Sequence, residues 1–295
     1  MNWWIQAARP RTLPLATATV FFGAAGINWN LHNTLVVVLA WLTAVALQIF
    51  SNFANDWGDF KNGADDDSRI GPARVMQSGS VTMKSMKKAL VILGFSSFIL
   101  GFILLYFSLI IVGKYTDFLV FLSVGILAIW AAYRYTAGDN PYGYKGLGDV
   151  FVFLFFGIVS PAGLYYLLHF SIDWTIILRI GFVGLACVMV LHLNNMRDRQ
   201  TDEATGKKTI AVKLGFTYSK WLHGLYGTVC ILSSLGLVFS SHFSIASVLF
   251  GAFSLLWLII HLVIVLRIQA EKSFDAQLKV VALSTFMSSI LYLFC

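Results

Sequence analysis

Residues 34–67 read TLVVVLAWLTAVALQIFSNFANDWGDFKNGADDD. About twenty mainly apolar residues come first, which is the length that a helix needs to cross the hydrocarbon core of a bilayer. The apolar run then passes without a break into a segment rich in Asn and Asp. Carboxylates at the mouth of a membrane helix are expensive, and they usually serve a function. This stretch therefore predicts a spanning helix with a functional acidic end.

A second stretch of the same kind ends another apolar run, where residues 194–203 read NNMRDRQTDE. The two stretches together hold eight of the fourteen Asp and Glu residues of the chain. Oxygen ligands that face each other suit Mg²⁺, and Mg²⁺ commonly binds phosphate oxygens of a substrate. The pair therefore suggests a site for a diphosphate.

The composition indicates an integral membrane protein. Hydrophobic residues make up 58% of the chain and charged residues 12%, whereas soluble domains have about 45–50% and about 25%. We expect an all-α fold, a polytopic transmembrane bundle of about nine helices that forms a single domain over residues 1–295. The predicted spans are residues 13–30, 34–54, 87–112, 117–136, 148–169, 174–196, 218–240, 244–267 and 277–295.

The distribution of cations predicts the orientation of this bundle. If the nine spans alternate, only Lys114 and Arg179 of the 21 Lys and Arg residues fall on the side opposite to the N-terminus. Loops rich in Lys and Arg stay in the cytoplasm. We therefore expect the N-terminus and both acidic stretches in the cytoplasm and the C-terminus outside. The net charge of +7 reflects this orientation signal, so we expect no nucleic acid as a partner.

The polar residues of each acidic stretch fall on one side of a helix. Asn55, Asp56 and Asp59 share a face with Asn52, because they lie three, four and seven residues after it. In the second stretch Asp198 and Asp202 lie three and seven residues after Asn195. Each face thus presents amide and carboxylate oxygens, which suit Mg²⁺. The alternative for either stretch is a solvated helix end with capping Asp residues.

Two cations adjoin these motifs and are candidates to neutralise a diphosphate. They are Arg197, inside the second stretch, and Lys145, in the loop after the fourth span. That loop also carries Tyr144, which we expect in an aromatic-lined substrate pocket. Asp149, at the end of the loop, either belongs to this group or caps the fifth span.

Other polar residues have simpler interpretations. Asp66 and Asp67 follow the candidate ligands in a loop and are expected to be solvated. His192 is interpreted as structural, since no second histidine lies at a ligand spacing from it. The three cysteines show no metal-binding spacing and are expected to be buried as small hydrophobic residues.

These motifs resemble the UbiA superfamily of intramembrane prenyltransferases. The resemblance covers nearly the whole chain. Asn55, Asp59 and Asp65 are similar to the NxxxDxxxxxD form of its first motif, and Asp198 and Asp202 match the DxxxD of its second. The branch that prenylates benzoate more often has its last Asp four residues after the second, and here that position is Gly63. The stretches ARPRT (8–12), GLGD (146–149) and GKKT (206–209) are similar to the 1,4-dihydroxy-2-naphthoate polyprenyltransferase branch.

The resemblance implies a fold, an activity and a site. It implies a Mg²⁺-dependent aromatic polyprenyltransferase in the bacterial cytoplasmic (inner) membrane, with its active site facing the cytoplasm. A polyprenyl group would pass from polyprenyl diphosphate to 1,4-dihydroxy-2-naphthoate, with loss of pyrophosphate and CO₂, in menaquinone biosynthesis. The implied metal ligands are Asn55, Asp56, Asp59, Asp65, Asp198 and Asp202. Lys145, Arg197, Asn55 and Tyr144 would contact substrate, and Asp59, Asp198, Lys145 and Arg197 would be catalytic.

Three alternatives to this function remain at the level of sequence. A related prenyltransferase would act on 4-hydroxybenzoate, homogentisate or haem. A transporter would place its polar residues near the midplane at interrupted helices, whereas the charges here lie at helix ends. A CDP-alcohol phosphotransferase would show a DGxxAR…GxxxDxxxD pattern, which this chain lacks.

Overall fold

The computed structural model describes residues 3–63, 74–138 and 141–295. Within these ranges the chain is helical and contains no strand, as the composition predicts. Asp65, together with Asp66, Asp67 and Arg69, lies outside the described residues.

The helices follow one another along the chain. In chain order they are α1 (Trp3–Ala8), α2 (Leu13–Ala24), α3 (Leu31–Lys61), α4 (Met83–Ile110), α5 (Tyr115–Arg134), α6 (Gly148–His169), α7 (Thr175–Arg197), α8 (Arg199–Ala204), α9 (Ile210–Ser240), α10 (Ile245–Arg267) and α11 (Phe274–Leu293). Short 3₁₀ turns occupy Pro10–Thr12, Tyr142–Lys145 and Glu271–Ser273.

Eight of these helices are long and apolar enough to cross a membrane, counting only the described part of the chain. The first predicted span is the exception. It forms α2, which has 12 residues and at about 1.5 Å per residue is too short for the hydrocarbon core by itself. The helix stops because Ala25 is extended and Gly26 has a φ of 81°. The sides of the membrane that the two termini face stay a prediction.

The start of α9 also differs from the prediction. It begins at Ile210, eight residues before the predicted start at residue 218, and bends at Gly215. Gly215 has a φ of 72°, which glycine adopts without the strain that a Cβ brings. Residues 210–217 read IAVKLGFT, so this first part of the helix is itself mostly apolar.

The two motif-bearing helices occupy different depths in the bundle. About two thirds of the apolar part of α7 is buried, the largest share among the candidate spans, and α9 and α11 pack against it. Helix α3 packs on α2 and α4. Helix α5 lies at the opposite extreme, with 6% of its apolar part buried, as expected for a helix that faces lipid. Both polar ends come together at one end of the bundle.

Candidate active site

The first acidic stretch forms the last two turns of α3, where its carboxylates are buried. Asp56 and Asp59 are each 2% exposed. Arg9 and Arg74 both pair with Asp56, the latter through Nη1 at 3.2 Å. A buried carboxylate is costly unless it is paired and hydrogen-bonded, and Asp56 meets this condition with two arginines. Asp56 does not line the cavity described below, and neither do Asp198 and Asp202.

Asp59 is the carboxylate of this stretch that faces the cavity. Its Oδ2 lies 2.9 Å from Nη1 of Arg74, and its Oδ1 accepts a hydrogen bond from the hydroxyl of Tyr144 at 2.9 Å. Asn55, one turn earlier, also lines the cavity, and its side-chain oxygen accepts from Oγ1 of Thr136 at 3.3 Å. The structure thus brings Asn55, Asp59 and Tyr144 together.

A close backbone contact positions the loop that carries Tyr144. The loop leaves α5 at Thr136 and passes directly over Gly58 of α3. A Cβ at Gly58 would lie 2.5 Å from the carbonyl oxygen of Thr136, so no larger residue fits without a shift. The hydroxyl of Thr136 donates to the carbonyl of Ala54 at 3.0 Å, which fixes the crossing point.

The second acidic stretch is organised by Arg197, which is fully buried. Its Nε and Nη2 donate to Oδ1 and Oδ2 of Asp198 at 2.8 and 2.7 Å. Nη2 also donates to Oδ1 of Asn194 at 2.7 Å, and Nη1 donates to Asp275 of α11. Helix α7 ends here, but the amide of Asp202 still donates to the carbonyl of Asp198 at 2.8 Å, so the predicted spacing of the two carboxylates is kept.

Lys207 joins the two stretches. Its Nζ lies 3.9 Å from Oδ2 of Asp59 and 3.7 Å from Oδ1 of Asp202, and it sits 5.4 Å from the centre of the Tyr144 ring. Asp59 of α3 and Asp202 of α8 therefore face each other across one ammonium group. Lys207 belongs to the GKKT stretch, whose pattern alone does not indicate this position between the two carboxylates.

Lys145 has a different place from the predicted one. Its side chain is exposed and does not line the cavity, and its carbonyl oxygen accepts from Nζ of Lys213 at 2.6 Å. Of the two lysines, Lys207 is the one that the structure brings to the carboxylates.

A cavity of about 380 Å³ runs from these residues into the apolar part of the bundle. Its polar end includes Asn55, Asp59, Arg74, Asn195 and Lys207. Its other end is lined by apolar side chains, among them Val20, Leu105, Phe121, Phe155 and Leu164. A ligand with a charged head and an apolar tail matches this division.

Aromatic side chains stand between the two ends of the cavity. Tyr142 stacks on Phe151 with ring centres 3.9 Å apart, and Tyr135 meets Tyr142 edge to face at 5.5 Å. All three line the cavity. Burial raises the pKa of Tyr135 and of Tyr142, so both are neutral phenols at physiological pH. They offer an uncharged aromatic wall for a planar acceptor or a cation.

His192 and Asp149 lie behind this wall. His192 is fully buried, with Nδ1 3.1 Å from Oδ2 of Asp149 and Nε2 3.1 Å from the carbonyl oxygen of Ser219. Asp149 also accepts from the hydroxyl of Tyr226 at 3.2 Å. Neither residue lines the cavity. Asp149 lies in the first turn of α6, whose N-cap residue is Leu147.

The oxygen donors at the polar end fit Mg²⁺ by their chemistry. Among the described residues no three His, Cys, Asp or Glu side chains stand close enough to form a metal cluster by themselves. The carboxylates of Asp59 and Asp202 instead face each other from two helices, and the amides of Asn55 and Asn195 adjoin them in the cavity wall. Mg²⁺ requires few protein ligands when water and phosphate oxygens complete its octahedron.

A membrane bundle whose paired Asn and Asp helix ends open onto an apolar cavity has the fold and site of an intramembrane prenyltransferase. The sequence model of the UbiA prenyltransferase family matches residues 13–290 of this chain. The chain belongs to this family.

Named relatives point to one branch. The chain is 42% identical to the 1,4-dihydroxy-2-naphthoate octaprenyltransferase of Haemophilus influenzae over 248 residues, which is 83% of this chain and 77% of the relative. It is also 42% identical to the enzyme of the same name from Escherichia coli, over 81% of this chain and 77% of the relative. A UbiA homologue from Archaeoglobus fulgidus, solved with GPP and Mg²⁺, shares the fold with a TM-score of 0.66 at 15% identity, and 99% of each chain is covered.

Proposed function

We propose that this protein transfers a polyprenyl group from polyprenyl diphosphate to 1,4-dihydroxy-2-naphthoate, with release of pyrophosphate and CO₂. The observation that carries the proposal is the meeting of Asp59 and Asp202 on either side of Lys207, at the mouth of a cavity that is otherwise mostly apolar. A diphosphate bound at this mouth would place its isoprenoid tail in the apolar part of the cavity. The 42% identity to naphthoate prenyltransferases supports the naphthoate over 4-hydroxybenzoate as the acceptor.

Asp59, Asp198 and Asp202 would hold Mg²⁺, assisted by the amide oxygens of Asn55 and Asn195. Mg²⁺ bound there neutralises the leaving diphosphate as a Lewis acid. Asp65 is proposed as a further ligand from the motif alone. Asp56, also a predicted ligand, pairs through Oδ1 with both Arg9 and Arg74, and we assign it to hold these two arginines in place.

Arg74 and Lys207 are assigned to the diphosphate, because both line the cavity beside Asp59. They supply positive charge where negative charge grows on the leaving group. Arg197 is assigned to hold Asp198 in place, since the carboxylates of Asp198 and Asp275 and the amide of Asn194 already occupy its guanidinium.

The reaction needs no protein nucleophile. The bond between C1 of the isoprenoid and the diphosphate oxygen breaks, and its electron pair leaves with the diphosphate. The carbon of the naphthoate ring that bears the carboxylate attacks the allylic cation. The bond to CO₂ then breaks, and its electrons restore the aromatic ring. No proton has to leave carbon, so the site needs no general base for this step. The apolar walls keep water away from the cation.

The location follows from the charge distribution. We propose that the protein spans the bacterial inner membrane with both acidic stretches and the N-terminus in the cytoplasm. A periplasmic reporter enzyme fused after Cys295 is expected to be active, since the C-terminus lies outside in this orientation. An inactive fusion in a protein that still transfers prenyl groups would reverse the assignment.

A panel of aromatic acceptors tests the function. Purified protein in lipid nanodiscs is incubated with Mg²⁺, one polyprenyl diphosphate and either 1,4-dihydroxy-2-naphthoate, 4-hydroxybenzoate or homogentisate, and product masses are measured. We expect a product only from the naphthoate, at the mass that corresponds to loss of CO₂. Asp59→Asn and Asp198→Asn are expected to abolish it. A product from 4-hydroxybenzoate alone would favour the related prenyltransferase instead.

A further inference from the structure

The acceptor of the proposed reaction is itself an anion, and the site must receive its carboxylate next to a diphosphate. A carboxylate that leaves water requires a cation or several hydrogen bonds in exchange. Among the described residues, five cationic side chains line the cavity: Arg9, Arg11, Arg74, Lys207 and Lys279. Those that are not fully paired with the protein's own carboxylates are available to bind the carboxylate of the acceptor.

Three of these five cations pair with carboxylates of α3 or lie between carboxylates of α3 and α8. Arg9 pairs with Asp56, and Arg74 pairs with both carboxylates of α3. Lys207 lies between Asp59 and Asp202. These three surround the place proposed for the diphosphate and its metal.

Arg11 stands apart from that group. It belongs to the 3₁₀ turn before α2, which packs against α11. Its Nη1 lies 3.8 Å from Oδ1 of Asp275, a distance beyond a hydrogen bond. The same Oδ1 already accepts a hydrogen bond from the buried Arg197. Asp275 therefore compensates Arg11 incompletely.

The charge around Arg11 calls for an anion. The side chain of Arg11 keeps 41% of its surface exposed, so its burial is partial. This partial burial and the nearby Arg197 and Arg9 lower the pKa of Arg11, while Asp275 and Asp198 raise it. The lowering effects are a partial loss of water and the presence of like charges. A carboxylate arriving from the cavity would offset both costs.

Lys279 completes this second basic group. It lies one turn after Asp275 on α11, so the two side chains share a helix face, and it lines the cavity while remaining exposed. It makes no ion pair with any carboxylate in residues 3–63, 74–138 or 141–295. Thus α11 presents a cation at the cavity wall beside Arg11, at the boundary between α2 and α11.

We propose that Arg11 and Lys279 form a subsite for the carboxylate of the aromatic acceptor, separate from the diphosphate position around Arg74 and Lys207. The proposal rests on the proposed function. The guanidinium of Arg11 matches a carboxylate in shape, and Lys279 adds a mobile charge. The prenylated product has lost its carboxylate as CO₂, so it loses this contact and is released more readily than the acceptor.

The test separates the two substrates kinetically. Arg11→Gln, Lys279→Met and the double variant are compared with wild type in nanodiscs, and KM is measured for 1,4-dihydroxy-2-naphthoate and for the polyprenyl diphosphate. We expect KM for the naphthoate to rise about tenfold in each single variant and further in the double variant, with KM for the diphosphate within about twofold of wild type. Arg11→Lys should recover part of the loss.

Matched controls exclude a general effect of removing positive charge. Arg267→Gln and Lys272→Met remove exposed cations just before α11, and both KM values should stay at the wild-type level. A naphthoate KM that stays unchanged in the double variant, or two KM values that rise together, would overturn the subsite.

A measurement on the wild-type protein guards against variants that fail to fold. Inhibition by 1-hydroxy-2-naphthoate is compared with inhibition by 1-naphthol, which lacks the carboxylate. The subsite requires the carboxylate compound to bind more tightly, and equal inhibition contradicts it. Absence of prenylated product from every acceptor with wild-type protein would instead refute the proposed function.

Discussion

Arg197 holds the carboxylate of its neighbour Asp198 with two parallel hydrogen bonds, Nε to Oδ1 at 2.8 Å and Nη2 to Oδ2 at 2.7 Å. The rest of the guanidinium is bound to Asn194 and to Asp275 of α11. A proposed metal ligand is thus fixed by a buried arginine, which is itself anchored to another helix. Ligands held in this way keep the orientation that a metal needs.

Replacing Arg197 by Lys tests this positioning role. Lysine keeps the charge but lacks the planar fork, so Asp198 should lose its fixed orientation. We expect the Mg²⁺ concentration for half-maximal activity to rise by about tenfold or more and kcat to fall. Activity is titrated with Mg²⁺ in both proteins. The control is Arg199→Lys, because Arg199 pairs with Glu271 at 2.7 Å away from the cavity. An unchanged Mg²⁺ requirement in Arg197→Lys would contradict the role.

Lys207→Met tests the cation between the two acidic stretches. Its loss leaves Asp59 and Asp202 facing each other without the ammonium group, and the diphosphate loses a counter-charge. We expect kcat/KM for the diphosphate to fall by about 100-fold, with a small effect on KM for the acceptor. Steady-state kinetics with each substrate varied in turn measure both quantities.

The neighbouring lysines make this prediction specific. Lys208 is exposed, and Lys208→Met should behave like wild type. Lys145→Met tests the assignment made from sequence. If it reduces turnover more than Lys207→Met does, Lys145 is the diphosphate-binding lysine and the assignment of Lys207 is wrong.

The sequence predicted those features that depend on local spacing. The all-helical fold and the shared face of Asn55, Asp56 and Asp59 follow from hydropathy and helical periodicity. The predicted first span is too long for a local reason. Residues 25–30 read AGINWN, Ala25 is extended and Gly26 has a φ of 81°, so the helix ends before them.

Roles that depend on tertiary contacts could not be predicted from the sequence. Arg197 and its partner Asp275 are 78 residues apart, and no pattern in either segment indicates the pair. Lys145 lies in the glycine-containing loop after α5 and Lys207 follows Gly206, so the local sequence does not distinguish them. Only the path of the chain after α8, which returns toward α3, places one of them between Asp59 and Asp202.

The crossing of α6 and α7 predicts a site where a single methyl group is destabilising. Both helices contain a π-helical segment at this point, Phe153–Val159 and Ile180–Gly184. A Cβ on Gly184 would lie 2.6 Å from Cα of Gly157. Gly184→Ala should therefore lower the free energy of unfolding by about 1–3 kcal/mol. Thermal unfolding in detergent measures the change.

Gly224 of α9 provides the matched control for that substitution. A Cβ there meets no atom within 4 Å, and alanine favours a helix over glycine by about 1 kcal/mol. Gly224→Ala should leave the unfolding temperature unchanged or raise it. Equal loss of stability in both variants would mean that the close crossing of α6 and α7 is not its cause.

Arg179 is expected to stabilise the end of the short helix α2 without taking part in the reaction. Its Nη1 donates to the carbonyl oxygens of Phe22 and Ala25, each at 3.0 Å, and the side chain is buried. These carbonyls lie at the helix end, where partners within the helix are missing. Arg179→Met leaves them buried without a donor, which should cost about 1–3 kcal/mol of unfolding free energy. KM for both substrates should stay unchanged, because Arg179 does not line the cavity.

Lys114→Met is the control for this substitution. It removes a partly exposed ion pair with Asp117 and should cost less than about 1 kcal/mol of unfolding free energy. A stable Arg179→Met protein with altered KM values would show that Arg179 influences the site rather than the fold.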